Sequence, residues 1–190
     1  MRFSIGVRAT MNIVDLLSIL AIRYKEKTGL PANKTKLIKL AYLTEIYYKR
    51  LTGEKFTEQK WIYWKYGPYF FEYEDIIENA SIFIKPPKSD DFYPVEIRDD
   101  YEVPTTNLNE NTALFYALEH ASDDLNNILD FVYYDTEPMI NAEKRGDILN
   151  FDLVLPQEFY IVRKYDINRE EGKKIINKIR EWEKNRGIVF

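Results

Sequence analysis

The chain contains no cysteine among its 190 residues. Disulfide bonds and thiolate metal sites are therefore excluded, and a reducing compartment, the cytoplasm, is the expected location. No apolar run approaches the roughly 20 residues that a membrane-spanning helix requires, so no membrane partner is expected. The first ten residues are too short and too weakly apolar to resemble a secretory signal peptide.

Residues that commonly perform catalysis are also scarce. The chain has one histidine and seven glycines, and it has neither a Walker-type loop nor a G-x-G-x-x-G segment. A nucleophilic triad requires a base beside an activated serine or cysteine, and a zinc site requires several histidine or cysteine ligands. We therefore predict no catalytic residue, no metal site and no cofactor, and we expect a protein that is not an enzyme. His120 lies off the apolar stripe of its predicted helix, so we interpret it as a solvated residue.

Aromatic side chains, in contrast, are abundant. The sequence has 15 tyrosines, 11 phenylalanines and 3 tryptophans, and 45% of its residues are apolar. A chain of this length and composition can bury a sizeable core in one domain. Tyrosine and tryptophan keep a polar group that needs a partner, so many of these rings will be only partly buried. Exposed rings favour contacts with another protein.

The net charge of −4 is unevenly distributed along the chain. Residues 1–65 carry 13 basic and 5 acidic side chains, residues 66–160 carry 5 and 21, and residues 161–190 carry 9 and 5. One interpretation is that the basic ends pack beside the acidic middle and neutralise it. The other is that an acidic face is offered to a basic partner, or a basic face to nucleic acid.

Apolar residues recur with helical periodicity in six segments. The predicted helices cover residues 12–28, 33–52, 70–80, 107–122, 124–134 and 168–185. Asn12 is suited to cap the first helix. Asn107 with Glu110, and Asn168 with Glu171, resemble capping boxes at the starts of two later helices.

The second predicted helix, residues 33–52, is apolar around most of its circumference. A helix of this kind belongs at the centre of a domain. Its few charges, notably Lys36, Lys39 and Arg50, cluster on one narrow edge, and Gly53 ends it.

Three short segments favour β-structure. Residues 60–66 are rich in aromatic and β-branched types, and Gly67-Pro68 is predicted to break this strand sharply. Residues 92–97 favour an edge strand, and residues 159–162 favour a further strand. The predicted fold is mostly α, α+β by strict count: a single-domain helical bundle with a small antiparallel sheet. Residues 1–11 are predicted to be an N-terminal extension, with Met11 an alternative start, and residues 12–190 the domain.

The order and spacing of several motifs between Lys36 and Ile77 resemble the Panacea domain family of SocA-like antitoxins. The family pattern begins with a K-L-x-K-L-x-Y helix, which corresponds here to Leu37, Lys39, Leu40 and Tyr42. The pieces that follow in the same order are Gly53, Trp61, Trp64, Gly67-Pro68 and Tyr73, and then a later element at Thr136-Glu137-Pro138. The similarity covers about residues 13–150, with the predicted C-terminal helix 168–185 beyond it. A histidine and a tryptophan that the family often has near the later turn are absent here.

The resemblance implies a phage-associated or toxin–antitoxin protein that neutralises a cognate toxin by direct binding. It also leaves open a role as a proteolytic adaptor that delivers the toxin to a cellular protease. The identity of the toxin, its contact residues and the oligomeric state do not follow from the resemblance.

The aromatic strand and the segment after it form the predicted partner-binding surface. Side chains alternate along a strand, so Trp61 and Tyr63 point to one face while Ile62 and Trp64 point to the other. We expect one face to pack on the second helix and the other to present rings to a partner. The residues predicted to contact the toxin are Trp61, Trp64, Tyr66, Gly67, Pro68, Tyr69 and Tyr73. In the alternative interpretation, all of them are structural.

Two other function classes remain as alternatives. A DNA-binding transcriptional regulator would use the basic edge of the second helix, with Lys36, Lys39, Lys49 and Arg50 as candidates. Nucleic acid is the less favoured partner, because no asparagine or glutamine is interleaved there to read bases. An uncharacterised hydrolase would require several acids with raised pKa values converging in one pocket.

Overall fold

The computed structural model describes residues 10–84, 93–165 and 169–185. In these ranges the chain forms eight α-helices: α1 Ile13–Thr28, α2 Lys34–Thr52, α3 Tyr73–Asn79, α4 Leu108–Glu119, α5 Leu125–Asp135, α6 Glu137–Ile140, α7 Gln157–Tyr165 and α8 Arg169–Asn185. The strands are short: β1 Ala32–Asn33, β2 Ile62–Trp64, β3 Gly67–Tyr69, β4 Phe83–Ile84 and β5 Pro94–Ile97. The predicted class, mostly α with a small antiparallel sheet, is confirmed, and the strands divide into two such sheets.

The first two helices begin and end where the sequence predicts. Asn12 caps α1 by accepting a bond from a first-turn N–H at 2.8 Å, and Asn33 caps α2 in the same way at 2.7 Å. Gly29 and Gly53 end the two helices with φ angles of 76° and 78°. This left-handed conformation is one that glycine adopts without steric cost.

Helix α2 lies at the centre of the fold. It packs against α1, α4, α5, β1, β3 and β5, so it is covered on all sides. Its fully or almost fully buried apolar side chains are Leu37, Ile38, Leu40, Ala41, Tyr42, Leu43 and Ile46. The prediction that a helix apolar around its circumference occupies the centre is therefore confirmed.

The three-stranded sheet has the order β1-β5-β4, and all its pairs are antiparallel. Ala32 lies opposite Val95, and Phe83 lies opposite Ile97. The prediction of an edge strand over residues 92–97 is wrong in its position, because β5 is the central strand; Phe92 lies outside the described residues. The two flanking strands have only two residues each, too few to produce an alternating pattern that sequence analysis could detect.

The second sheet is the hairpin of β2 and β3, in which Tyr63 lies opposite Pro68. The predicted strand is confirmed over β2, but Gly67-Pro68 is not the turn. These residues open β3, and Lys65-Tyr66 form the turn instead. Proline has no N–H to donate. It is tolerated in β3 because β3 is an outer strand of its sheet. The other edge of β2 is covered, since Leu149 donates its N–H to the Trp61 carbonyl at 2.8 Å.

The second half of the chain adds helices around α2. Asn107 and Glu110 form the predicted capping box of α4, each side chain bonding to the other residue's N–H. The predicted strand over residues 159–162 is wrong, because this run lies inside α7, where Tyr160 and Ile161 are buried. A short apolar run fits a strand or a buried helix turn equally well, and here packing selects the helix. Asn168 lies outside the described residues.

Met11 does not behave as part of a detached extension. Its N–H donates to the Phe56 carbonyl at 2.9 Å, and it forms a parallel bridge with Thr57 and packs against the core. Among the described residues, no helix combines the length and apolarity needed to cross a membrane.

A carboxyl group is buried in the core beside the start of the hairpin. Glu45 on α2 is 1% exposed and accepts bonds from the N–H groups of Phe56 and Thr57, at 3.1 and 3.3 Å, and from the Thr57 hydroxyl. Burial raises its pKa to about 7, although these bonds oppose the rise. Glu45 therefore ties α2 to the loop before the hairpin, and the strength of this tie depends on pH.

We expect Glu45→Gln to cost less stability at about pH 8 than at about pH 5. Between the unfolded pKa, near 4.5, and the folded value of about 7, the folded state holds a proton that the unfolded state has released. The contribution of Glu45 to wild-type stability therefore falls as pH rises through this window. Glutamine does not titrate, so the variant does not show this decrease. The difference between the two costs should reach about 2 kcal/mol, measured by urea unfolding.

Glu58→Gln is the matched control, because Glu58 is an exposed carboxylate in the same loop. Its cost should not change between the two pH values. Parallel stability curves for Glu45→Gln and wild type would contradict the assignment of a raised pKa to Glu45.

Candidate protein-binding cleft

The motif residues, which are distant in the sequence, meet around α2. The Lys39 ammonium donates to the Pro68 carbonyl of β3 at 2.8 Å. One turn later on the same helix, the Tyr42 hydroxyl lies 3.0 Å from the Thr136 hydroxyl at the start of α6. Leu37 and Leu40 are fully buried between these contacts. The motif is therefore first of all a packing arrangement that fixes the hairpin and α6 on α2.

Two of the predicted partner-binding residues belong to this packing. Trp61 is 1% exposed and stacks edge-on against Tyr42 and Phe70, with ring centroids 5.4 and 5.1 Å apart. Tyr73 is also 1% exposed, and its hydroxyl donates to the Lys34 carbonyl at 2.6 Å. Both side chains support the hairpin from below; Trp61 is enclosed in the core, whereas Tyr73 also borders a cleft beside the hairpin.

Three aromatic side chains on the outer side of the hairpin are exposed. Trp64, Tyr66 and Phe71 have 42%, 59% and 67% of their surface accessible, and the rings of Trp64 and Phe71 are in contact at 5.9 Å between centroids. We call these three residues the aromatic surface. Phe71 was not predicted as a partner-binding residue. The run Tyr69-Phe70-Phe71 could have indicated an exposed ring. Successive side chains of an extended segment point in opposite directions, so three consecutive rings cannot all be buried on one side.

A cleft of about 290 Å³ lies beside the aromatic surface, between the hairpin and the first turns of α2. We call it the hairpin cleft. It is lined by Lys34, Thr35, Ile38, Lys39, Trp64, Lys65, Tyr66, Gly67, Tyr69, Tyr73 and Glu74. The lining therefore contains most of the predicted partner-binding residues, and Tyr69 lines it as a half-buried side chain.

Gly67 lines the hairpin cleft, and both it and the neighbouring Pro68 are buried. Gly67 has a φ of 84°, a left-handed conformation that other residues adopt only with strain. A Cβ atom at this position would lie 3.6 Å from the Tyr133 ring and 3.7 Å from the Lys39 Nζ. These are ordinary contact distances, so space does not require a glycine here; the left-handed backbone does.

Lys39 is the most unusual electrostatic feature of the cleft. The residue is 2% exposed, and burial lowers the pKa of its ammonium to about 7. Among the described residues its acceptor is the Pro68 carbonyl, and no carboxylate pairs with it. A lysine ammonium has three donors, so this group has bonding capacity left.

The rim of the hairpin cleft carries further charges. Lys34 forms ion pairs with Glu74 and, at 3.6 Å, with Glu78. Lys65 at the turn of the hairpin lies over the Tyr66 ring at 5.1 Å. The charged side chains that line the cleft are three lysines and one glutamate, so the cleft is basic although the segment that contains the hairpin and α3 is acidic overall.

A buried ion pair joins the far end of α2 to the later motif element. The Arg50 Nη2 lies 3.1 Å from Glu137 Oε2 and also donates to the Asp135 carbonyl at 2.9 Å, and both charged residues are 2% exposed. The Tyr160 ring covers the guanidinium at 3.5 Å, and Arg163 reaches the same glutamate at 3.3 Å. Pro138 lies in the first turn of α6 directly after this glutamate.

The basic edge of α2 is used inside the protein. Lys36 donates to the carbonyls of Ala121 and Asp123 at 3.1 and 2.7 Å, which satisfies acceptors where α4 ends. Lys49 donates to the Gly53 carbonyl at 2.6 Å. Lys39 and Arg50 are buried as well, so the cationic groups of this edge are engaged within the protein.

The interpretation of His120 as a solvated residue is wrong. Its side chain is 16% exposed, and its ring nitrogens lie 3.2 Å from the Tyr47 hydroxyl and 2.9 Å from an Asp123 carboxylate oxygen. The ring also lies 4.6 Å from the Phe131 ring. Packing of α4 on α2 and α5 covers the position, which the stripe of a single helix could not reveal.

The described residues contain no group of three or more histidine, cysteine, aspartate or glutamate side chains placed to hold a metal ion. Glu45 is the carboxyl whose pKa is clearly raised in these ranges, and it is sealed in the core by Thr57. The convergence of acids in a pocket that would favour a hydrolase is therefore not found in the part of the chain described.

The family model described as "Antitoxin SocA-like, Panacea domain" matches residues 37–144, more than half of the chain. The match begins at the first motif leucine of α2 and ends just after α6, so it contains the hairpin, most of the residues that line the cleft and the Thr136-Glu137-Pro138 element. No protein of curated function and no solved structure matches the chain.

We expect Arg50→Met to destabilise the protein by about 3–5 kcal/mol, because it leaves the Glu137 carboxylate buried without its main partner. The double variant with Glu137→Met removes both charges and should be more stable than Arg50→Met alone. Urea unfolding at neutral pH measures both.

Arg98→Met is the control, since Arg98 pairs with Asp100 at 2.7 Å on the surface. An exposed pair contributes at most about 1 kcal/mol, so this variant should unfold close to wild type. A double variant less stable than Arg50→Met would show that the pair is not the source of the effect.

Proposed function

Since the chain belongs to the antitoxin SocA-like, Panacea domain family, we propose that it neutralises a cognate toxin in the cytoplasm by binding it directly. The proposed role is that of a non-enzymatic binding protein. The family match covers the hairpin, α6 and most of the cleft lining that the motif residues hold on α2. Packed side chains fill the interior of this arrangement, so the toxin can contact only its exposed side chains.

The observation that carries the proposal is the aromatic surface. All three side chains are exposed, the rings of Trp64 and Phe71 are in contact, and Trp64 and Tyr66 line the hairpin cleft. Large aromatic side chains are the residues that most often dominate the binding energy of protein interfaces. The buried Trp61 and Tyr73 hold the hairpin from below, so the surface is presented on a rigid support and little conformational freedom is lost on binding.

Charge around the aromatic surface fits a basic partner at the rim. Phe71 is followed by exposed Glu72, the residue before α3, and by exposed Glu74, Asp75 and Glu78 on the helix. Acidic side chains at the edge of an interface accelerate the approach of a basic protein and orient it. The mechanism we propose is occlusion: the aromatic surface binds beside the toxin's active or target-binding site and covers it.

We expect Trp64→Ala and Phe71→Ala each to weaken toxin binding by at least about tenfold without unfolding the protein, because both side chains are exposed anchors. A candidate toxin is a small protein encoded by a reading frame next to the gene of this chain, where one is found. It should stop growth when expressed alone and be harmless when co-expressed with the wild-type chain, and the dissociation constant of the purified pair is measured for each variant.

Tyr165→Ala is the matched control, because Tyr165 is an aromatic residue on α7 that is 62% exposed. It should bind and protect like wild type. If both hairpin variants also bound and protected like wild type, the aromatic surface would not be the toxin site. A shortened toxin half-life in co-expressing cells would identify a proteolytic adaptor in place of occlusion.

A further inference from the structure

The floor of the hairpin cleft is a buried cation without an anionic partner. Lys39 is reached through the cleft, with its Nζ beside Gly67 and 2.8 Å from the Pro68 carbonyl. No described carboxylate forms an ion pair with it, whereas Lys34 at the rim pairs with Glu74 and Glu78. A buried charge with a single neutral acceptor is energetically costly, so this position favours the arrival of an anion.

We propose that the hairpin cleft binds the side-chain carboxylate of an aspartate or glutamate in the partner protein, with the Lys39 ammonium as its counter-ion. The inference rests on the proposed function, in that the carboxylate belongs to the toxin. The aromatic surface supplies the apolar contacts around it, and the cleft supplies one charge-specific contact at its centre.

Size and charge both fit this occupant. A volume of about 290 Å³ accommodates one amino-acid side chain with part of its backbone, but not a large cofactor. The lining has a net positive charge, because its charged side chains are Lys34, Lys39, Lys65 and Glu74. Because Lys34 already neutralises Glu74, a carboxylate that enters meets Lys39 without facing an unpaired negative charge.

The toxin would then face two charge zones. Helix α3 presents acidic side chains at the rim, whereas the cleft presents a cation at its floor. A basic toxin surface that projects one acidic side chain satisfies both zones, and a uniformly basic or acidic protein satisfies only one. This pattern provides selectivity, because the wrong partner leaves Lys39 covered and unpaired.

Lys39 also changes its protonation state near neutral pH, since burial lowers the pKa of its ammonium to about 7. The other titratable groups that face the cleft are Lys34, Lys65, Glu74 and the phenols of Tyr66, Tyr69, Tyr73 and Tyr133. Burial raises the pKa values of Tyr69, Tyr73 and Tyr133, so these three stay neutral. A bound carboxylate stabilises the ammonium form, so binding above pH 7 takes up a proton and weakens as pH rises.

The test uses the full chain and three acetylated peptides of five residues. The first is the amidated peptide Ala-Leu-Glu-Leu-Ala, the second has glutamine in place of glutamate, and the third is the glutamine peptide with a free carboxyl terminus. Binding is followed at millimolar peptide by the NMR shifts of the Gly67 amide and the Trp64 indole. Inorganic phosphate at the same concentration is titrated in parallel.

We expect the glutamate peptide to bind at least about tenfold more tightly than the glutamine peptide, and to lose affinity between about pH 6 and about pH 9. Lys39→Met should abolish this preference, and Lys55→Met, which removes an exposed lysine outside the cleft, should keep it. The wild-type comparison of peptides and pH values requires no variant, so it remains decisive if Lys39→Met fails to fold.

The proposal is overturned if the glutamate and glutamine peptides bind equally or not at all, or if Lys39→Met keeps the preference. Tighter binding of the free carboxyl terminus or of phosphate would replace the proposed occupant by a chain end or a small anion. If Lys39→Met neutralised the toxin as well as wild type, only this inference would fail. A wild-type chain that bound the glutamate peptide but protected against no toxin would instead contradict the proposed function.

Discussion

The structure depends on the burial of polar side chains along one helix, α2, which is covered on every side. Lys39, Tyr42 and Arg50 cannot reach water, so each must find a partner on the element that covers it. Their partners are a carbonyl of the hairpin, a hydroxyl at the start of α6 and the Glu137 carboxylate. Apolar contacts alone would permit many ways to pack these elements on α2, whereas these polar contacts permit one.

This constraint also separates the parts of the hairpin that support the fold from the parts that can bind. Trp61 and Tyr73 are held between α2 and the hairpin, so changing them changes the fold. Trp64, Tyr66 and Phe71 are exposed, the first two at the hairpin cleft. A support of this kind tolerates replacement of its exposed residues. The position of α3 beside the rings adds acidic charge to the same surface.

Much of the architecture could be predicted because it is recorded in local patterns. Caps at Asn12 and Asn107, stops at Gly29 and Gly53, and the uniform apolarity of residues 33–52 are properties of short segments, and each corresponds to an observed helix feature. The errors have one physical origin, which is that short segments adopt the structure their neighbours impose. Residues 159–162 are helical because α7 packs there, and residues 94–97 form a central strand because two-residue strands pair on both edges.

The sequence by itself determined the helical class, the central helix, the family and the aromatic character of the candidate binding segment, since these follow from composition, periodicity and motif order. Only the tertiary structure decided which of the aromatic residues are exposed, and only it placed Lys39 beside Gly67 with no carboxylate partner among the described residues. The reason is that burial is a property of packing between distant segments. Trp61 and Trp64 are the same residue type three positions apart, and only the contact of the hairpin with α2 distinguishes them.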